Sequence, residues 1–417
     1  MGFITVALPV WLASSGVDGP VVASFIAAAM LPWAFKLFAG PLMDRFRFPS
    51  LGNRRPWVMF AQSGLLLALA SLAVIDPAIS EMATLTICCI VVSSFAAVQD
   101  VAVDGMAIDV LPEEERGLAN ALMAFGQVSG IAVSGAACGW TLVNLGLSFT
   151  AIMLASCIAT ILAIVVVFRE RDGERLLPWT QGAAQHADHA RQISWRSIAT
   201  NLFRVFILPA SLMLIVVTLF WRISHGMYVA ALPVLLTQEL GWDSVESSNW
   251  ISISQFVAAC LGVAIGPLID RYGSRVFLSW GLVFGCLVFT MMWLATPWWD
   301  QRMTWIVGLF VTKFAIQVLF VAYIALHMSI CWSKVAATQF AIYMAWANLA
   351  YSLGAQVYAE LSPFLRMGQE TLVMATLFLL ALIVMAFVRL DRHRERLNQL
   401  TPTEPVEDIL VDIPARF

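Results

Sequence analysis

Of the polar residues that interrupt the long apolar stretches of this sequence, eight stand out because their types suit them to bind ions or carboxylates. If those stretches cross a membrane, charged groups within them are costly, and a functional role is the first interpretation. Arginine can hold a carboxylate or phosphate through parallel hydrogen bonds, while aspartate and histidine can carry protons. The candidates for proton coupling or substrate binding are Lys36, Gln99, Asp100, Asp104, Arg222, His225, Lys313 and Gln317.

Asp100 and Asp104 are four residues apart and therefore share one face of a helix. Two carboxylates this close in a low-dielectric medium do not both stay ionised alone, so one takes a proton or a cation neutralises them. Counting residues along the helices puts Lys36 at the depth of Asp104. This count predicts a Lys36–Asp104 pair and leaves Asp100 as the proton-coupling carboxylate. The alternative is a fixed ion pair that only holds two helices together.

Arg222 and His225 are three residues apart, on one face of a second segment. We expect Arg222 to contact an acidic substrate. His225 can accept the coupling proton itself, or it can be hydrogen-bonded to a neighbouring helix. Lys313, followed one turn later by Gln317, has no evident acidic partner nearby in the sequence. Lys313 is therefore expected to reach Asp100 or an anionic substrate across a central cavity.

The elements that position these residues are membrane spans. Of 417 residues, 60% are hydrophobic and 12% are charged, about half the ~25% charged fraction of soluble domains. This composition excludes a cytosolic enzyme, a nucleic-acid binder and a disordered chain. The sequence carries neither a Walker A loop nor the Cys and His spacing of a zinc site, so we expect no cofactor and no metal. Twelve spans are predicted near 2–14, 21–39, 57–74, 83–108, 117–143, 147–168, 206–237, 247–268, 276–296, 303–329, 336–358 and 369–390.

The basic residues orient these spans. Nineteen arginines and lysines fall on the side of the loops that follow the even-numbered spans, and two, Arg302 and Arg366, fall on the other side. By the positive-inside rule both termini are cytoplasmic. The first span is too short to cross a bilayer, so we expect the chain to begin inside that helix. The predicted organisation is a six-helix half at 1–168, a cytoplasmic linker at 169–205, a second half at 206–390 and a tail at 391–417. An amphipathic helix is expected at 193–206.

A motif recurs at the ends of spans two and eight. GPLMDRF begins at Gly40 and GPLIDRY at Gly266, 226 residues later. Two copies at matching positions indicate parallel structural repeats, as in transporters of the major facilitator superfamily. Glycine lets helices approach closely, and an aspartate at the membrane face can cap a helix and pair with arginine. The expected gate residues are Gly40, Asp44, Arg45, Gly266, Asp270, Arg271 and Arg275.

Three strings make the resemblance more specific. FKLFAGPLMDRF…LGNRRPWV at 35–58, VQDVAVDGMAIDVLPEEERGLANA at 98–121 and AATQFAIYMA at 336–345 resemble the AmpG-type muropeptide permease and acetyl-CoA transporter family. The resemblance implies an all-α major facilitator fold in a bacterial inner membrane. It also implies import of an anionic solute such as an anhydro-muropeptide, with siderophores and acetyl-CoA as alternatives.

We therefore expect a monomeric secondary transporter, most simply a proton symporter, that works by alternating access and does not bind nucleic acid. A sensor with a degenerate transporter fold is the alternative of another class. A membrane enzyme is disfavoured, because no nucleophile–base pair or metal cluster is evident.

Overall fold

The computed structural model describes residues 1–46, 48, 51–52, 54–110, 116–168, 195–332 and 335–400. Within these residues the chain is helical, apart from its turns and one isolated bridge between Phe48 and Gly52. Spans one to six are Phe3–Ser14, Gly19–Met43, Arg55–Ile75, Met82–Val110 and the two arms of Arg116–Val167. Spans seven to twelve are Pro209–Glu239, Ser244–Tyr272, Ser274–Leu294, Arg302–Ser329, Ala336–Leu361 and Gln369–Phe387.

By length and apolarity, nine segments of the described chain qualify as membrane-crossing helices. This number agrees with twelve spans because one segment, Leu122–Val167, contains both span five and span six. The helices Phe3–Ser14 and Ala336–Leu361 are outside the nine, the first because it is short. The predicted all-α fold of two six-helix halves is confirmed.

Spans five and six meet at a reversal of the chain rather than at a loop. Gly146 has φ 83° and ψ 175°, and it interrupts the helix Arg116–Val167. Only glycine adopts this backbone conformation without a steric penalty. The side chain of Thr150 then bonds both to Thr141, at 2.9 Å, and to the carbonyl of Gly146. The reversal places span six antiparallel to span five.

The two halves pack together where span five contacts span eight and where span eleven contacts span two. Span eleven also packs on span seven of its own half. We call the membrane face that carries the segments Gly40–Arg45 and Gly266–Arg271 the motif face, and the opposite face the far face. Near the far face Gln238 Nε2 donates to the carbonyls of Ala13 and Val17, each at 2.8 Å. These bonds close the far side across the two halves.

At the motif face the hydrophobic core is divided between the two halves. One large cluster of buried side chains includes residues of both halves. A separate cluster around Met43, Val58 and Ala102 belongs to the first half alone, and another around Val205 and Trp332 belongs to the second. The halves are therefore joined toward the far face and separate toward the motif face.

Two amphipathic helices lie outside the spans. The linker helix, Trp195–Phe206, confirms the helix expected from the sequence. The tail helix, Leu390–Leu400, replaces part of what the sequence suggested was only a polar tail. It docks through His393 Nε2, which lies 3.1 Å from the carbonyl of Ile330, and through Leu397, which packs on the Val205–Trp332 cluster. The central stretch 169–194 and the end 401–417 lie outside the described residues.

Candidate functional site

A cavity lies between the two halves. Four of the eight polar candidates line it, namely Arg222, His225, Lys313 and Gln317. All four belong to the second half, on spans seven and ten. The first half contributes Thr5, Met30, Trp33, Gln127 and Ile131, among others. The cavity therefore has one cationic wall and one wall that is mainly neutral.

Arg222 is held rigidly in the cationic wall and is only 7% exposed. Its Nε donates to the carbonyl of Ala347 at 3.0 Å, and its Nη2 lies 3.5 Å from Asn348 Oδ1. The guanidinium also stacks over Tyr351, with its Cζ 4.9 Å from the ring centroid. None of these partners is a carboxylate, so the positive charge is oriented but not neutralised.

His225 is bound to this guanidinium. Arg222 Nη1 lies 3.2 Å from His225 Nδ1. Because arginine can only donate, Nδ1 must accept, and the ring is neutral with its hydrogen on Nε2. A second proton on Nδ1 requires that bond to break. The geometry thus disfavours His225 as the proton acceptor. The observed bond joins His225 to Arg222 of the same helix rather than to a neighbouring helix, as the alternative expected.

Lys313 provides the second cation of the wall and is also 7% exposed. Its Nζ lies 5.7 Å from the centroid of the Tyr228 ring, a cation–π contact. Among the described residues no carboxylate pairs with Lys313. The expected contact between Lys313 and Asp100 is not formed. Gln317, one turn further, packs against Gly262, whose hydrogen faces Gln317 Nε2. Lys313 therefore presents a buried amine with no carboxylate partner in the described chain, and a bound anion would stabilise its charged form.

The carboxylates of span four lie apart from the cavity lining. Lys36 Nζ and Asp100 Oδ2 are 2.8 Å apart, and Gln127 Nε2 donates to Asp100 Oδ1 at 3.2 Å. The expected Lys36–Asp104 pair is therefore wrong. Asp104 is exposed, and within the described chain it forms no ion pair. Gln99 is half-buried and does not line the cavity.

The physical reason for the corrected pairing lies in span two. The helix Gly19–Met30 ends two residues before Pro32, and residues Lys36–Phe38 form a 3-10 turn. A 3-10 turn rises about 2.0 Å per residue instead of 1.5 Å. Counting at the α-helical rise from Asp44 therefore places Lys36 too close to the motif face. The flexible lysine side chain then reaches the next carboxylate along span four.

Asn348 connects the two groups of charges. Its Oδ1 faces Arg222, and its Nδ2 donates to the carbonyl of Trp33 at 3.2 Å. Trp33 in turn lies under Lys36, whose Nζ is 5.5 Å from the ring centroid. A series of contacts that passes through Trp33 thus links Asp100 in the first half to Arg222 in the second.

Sequence reasoning missed Asn348, Gln127 and Tyr351 as site residues. The two amides left a detectable signal, because each interrupts an apolar run as the chosen residues do. Tyr351 left none, since a tyrosine in a membrane helix is ordinary and its stacking on Arg222 depends on tertiary packing.

The structure describes part of the gate motif. A Cβ added at Gly40 meets nothing closer than Val101 at 3.9 Å, and one at Gly266 meets nothing within 4 Å. The expected close helix approach at these glycines is therefore not present in this conformation, because the halves are separated at the motif face. Arg271 is exposed and lies over Tyr272, while Arg275 is half-buried. The side chains of Asp44, Arg45 and Asp270 lie outside the described part of the chain, and their ion pairs stay predictions.

Known proteins share this architecture. A structure of the xylose transporter XylE from E. coli, in a partially occluded inward open conformation, covers 93% of this chain and 94% of its own. The TM-score is 0.68 at 12% sequence identity, which shows the fold alone.

Sequence relatives are more specific. The putative transporter AmpG 4 of Rickettsia conorii is 25% identical over 355 residues, covering 82% of this chain and 81% of that protein. The anhydromuropeptide permease of Escherichia coli K12 is 32% identical over 133 residues, which are 32% of this chain and 27% of that one. These relatives confirm the AmpG-type resemblance. The family model of the Major Facilitator Superfamily matches residues 1–355, and the chain therefore belongs to that superfamily.

Proposed function

We propose that this protein is a secondary active transporter that imports an anionic solute such as an anhydro-muropeptide across the bacterial inner membrane. The observation that carries the proposal is the cationic wall. Arg222 and Lys313 both line the cavity between the halves, and no carboxylate in the described chain neutralises either one. A buried charge without a counter-charge is unfavourable, so a bound anion stabilises this state.

The geometry suits a substrate with a carboxylate. The guanidinium has five N–H donors, of which contacts to Ala347, His225 and Asn348 occupy three. The remaining donors can bind one carboxylate oxygen while Lys313 provides a point charge from span ten. Relatives named as an anhydromuropeptide permease and as AmpG transporters favour a muropeptide over a siderophore or acetyl-CoA.

The packing supports alternating access. The far face is closed by contacts between the halves, and the motif face has separate cores. The excess of basic residues supports a cytoplasmic motif face. This conformation is then inward-facing, and the reverse rocking motion delivers the cavity to the far face. The halves at 1–168 and 206–390 are the moving bodies of this proposal.

The corrected ion pair moves the coupling role to Asp104. Lys36 neutralises Asp100, so Asp104, one helical turn away, is the carboxylate whose charge is left over. A proton on Asp104 removes that excess negative charge, and its release restores it. Asp104→Asn is expected to abolish accumulation against a gradient while downhill exchange persists. Unimpaired accumulation by this variant would remove Asp104 from the coupling step.

Uptake tests the function directly. The full chain is expressed in a bacterium whose own muropeptide permease is deleted, and uptake of radiolabelled anhydro-muropeptide is measured with and without a protonophore. We expect accumulation that the protonophore abolishes. Arg222→Gln and Lys313→Gln should each raise the half-saturating concentration about tenfold, the loss of one charge-assisted hydrogen bond. Arg366→Gln, at an exposed arginine remote from the cavity, is the matched control.

Other results redirect the assignment. If well-folded protein takes up no muropeptide but accumulates another acidic solute, the transporter class stands and the substrate is wrong. If purified protein in proteoliposomes moves no acidic solute at all, the sensor alternative replaces transport.

A further inference from the structure

A second cavity lies at the motif face of the second half and is separate from the cavity between the halves. We call it the tail cleft. It is enclosed by the first turn of span seven, the last residues of span twelve and the tail helix, and its lining is Leu208, Pro209, Ala210, Met213, Phe387, Arg389, Arg392, His393 and Arg396. Because spans seven and twelve begin and end here, the cleft lies at the depth of the lipid headgroups.

The charged side of the tail cleft is entirely cationic. Arg389, Arg392 and Arg396 are spaced by three and four residues, so they follow one side of the tail helix. All three are exposed, and none forms an ion pair with a carboxylate in the part of the chain that the structure describes. Asp391 and Glu395 belong to the same helix but do not line the cleft. This arrangement suits a phosphate group.

The start of span seven adds to the positive potential. Its N-cap is Leu208, its first helical residue is Pro209, and no side chain caps it. Its first turn contains no acidic residue. The α-helix that begins here, Pro209–Val234, is 26 residues long. The free N–H groups of a helix N-terminus attract anions.

His393 supplies an independent sign of a ligand. It lines the cleft and is only 2% exposed. Its Nε2 faces the carbonyl of Ile330 at 3.1 Å, and a carbonyl only accepts, so Nε2 carries the hydrogen. Nδ1 is then an acceptor, and it has no hydrogen-bond partner although it is buried. Because this nitrogen is itself buried, a hydroxyl donor from the cleft would satisfy it after a small shift of the ring or the lining.

The remaining walls are apolar. Met213 and Leu208 belong to span seven and its cap, and exposed Phe387 ends span twelve. A free phosphate gains nothing from these side chains, whereas an acyl chain packs along them.

We propose that the tail cleft binds an anionic glycerophospholipid with a hydroxylated headgroup, of the phosphatidylglycerol type. The phosphodiester contacts the three arginines and the start of span seven. A headgroup hydroxyl donates to His393 Nδ1, and an acyl chain lies along Met213 and Phe387. The lipid thereby holds the tail helix against the membrane face.

Native mass spectrometry of the full chain tests this site. The protein is released from nanodiscs that contain equal amounts of phosphatidylglycerol and phosphatidylethanolamine, and the lipids retained per chain are counted. We expect retention of phosphatidylglycerol over phosphatidylethanolamine. Arg392→Gln should weaken retention about tenfold, the loss of one charge-assisted phosphate contact. The triple variant Arg389→Gln, Arg392→Gln, Arg396→Gln should abolish the preference.

Three controls keep the result interpretable. Arg366→Gln removes an exposed arginine far from the cleft and should change nothing. The triple variant with lysine at the same positions keeps the charge and should retain an intermediate preference, which also shows that the tail folds. Glycerol 3-phosphate, added in solution, should not displace the lipid at millimolar concentration. Equal retention of the two lipids, an unchanged preference in the triple glutamine variant, or displacement by glycerol 3-phosphate would each overturn the proposal.

Discussion

The pair Lys36–Asp100 leads to a prediction that separates two neighbouring carboxylates. Lys36 Nζ and Asp100 Oδ2 are 2.8 Å apart, and their side chains are 18% and 20% exposed. Removing one partner of a fully buried pair costs about 3–5 kcal/mol. Since a fifth of each side chain reaches the surface, we expect Asp100→Asn to cost about 2 kcal/mol. This corresponds to a roughly 30-fold larger unfolded fraction.

Asp104→Asn is the matched control, because the residue is one turn away and exposed. It should change the free energy of unfolding by less than about 0.5 kcal/mol. The double variant Lys36→Met with Asp100→Asn removes both charges and should recover most of the lost stability. Unfolding in mixed detergent and SDS micelles, followed by tryptophan fluorescence, measures all four proteins.

A larger destabilisation by Asp104→Asn than by Asp100→Asn would refute the Lys36–Asp100 pairing and restore the pairing expected from residue counting. A double variant less stable than Asp100→Asn alone would also refute the pairing, since Lys36 would then stabilise the bundle without its partner.

Three further perturbations have expected outcomes. Gly139→Leu should weaken the far-face closure, because an added Cβ lies 2.5 Å from Ser248 Cβ. Labelling from the far side of a cysteine introduced at Gln255 in the cavity lining should therefore increase, whereas Gly130→Leu, in open space, should leave it unchanged. Arg55→Gln should lower the free energy of unfolding in SDS by about 2–3 kcal/mol, because the buried guanidinium donates to the carbonyl of Val165 at 3.0 Å and caps the end of span six. An unchanged free energy of unfolding would contradict this role. Burial lowers the pKa of His393 beside the arginines of the tail cleft, so the docked tail favours the neutral ring. The docking is therefore fully stable above about pH 6.5, the ordinary pKa of histidine. It weakens as the pH falls through the lowered pKa. Hydrogen exchange of 390–400, corrected for intrinsic rates, should therefore accelerate more between pH 7.5 and 5 than exchange in the linker helix, and equal changes would argue against the titration.

The sequence was sufficient for most spans because they are long apolar runs. Ala336–Leu361 carries more polar side chains and is not among the nine segments that qualify by apolarity. Its polar side chains are satisfied in the structure by contacts across the bundle, such as Ser352 Oγ to the carbonyl of Ala27 at 2.6 Å. The repeat of GPL-x-DR gave the two halves, because equal motifs at one offset require equal topology.

Partner choice was beyond the sequence. Depth along a helix follows from residue counting only if the helix is regular, and Lys36 stands in a 3-10 turn. The neutral state of His225 depends on which nitrogen faces Arg222, which is a rotamer outcome. The tail helix was missed because its apolar residues are few, and docking through buried His393 is a tertiary contact.

The broken course of span two has a consequence for how the protein moves. Its far part, Gly19–Met30, packs on span eleven of the other half, and its last part, Ala39–Arg45, packs on span four of its own half. Pro32 lacks the N–H that would continue the helical bonding, so the joint between these parts is weak in bending. Lys36 lies within that joint and is bound to span four. The angle of the joint is then sensitive to the charge on span four. In the proposed coupling, a proton on span four would bend this one helix rather than move a whole half.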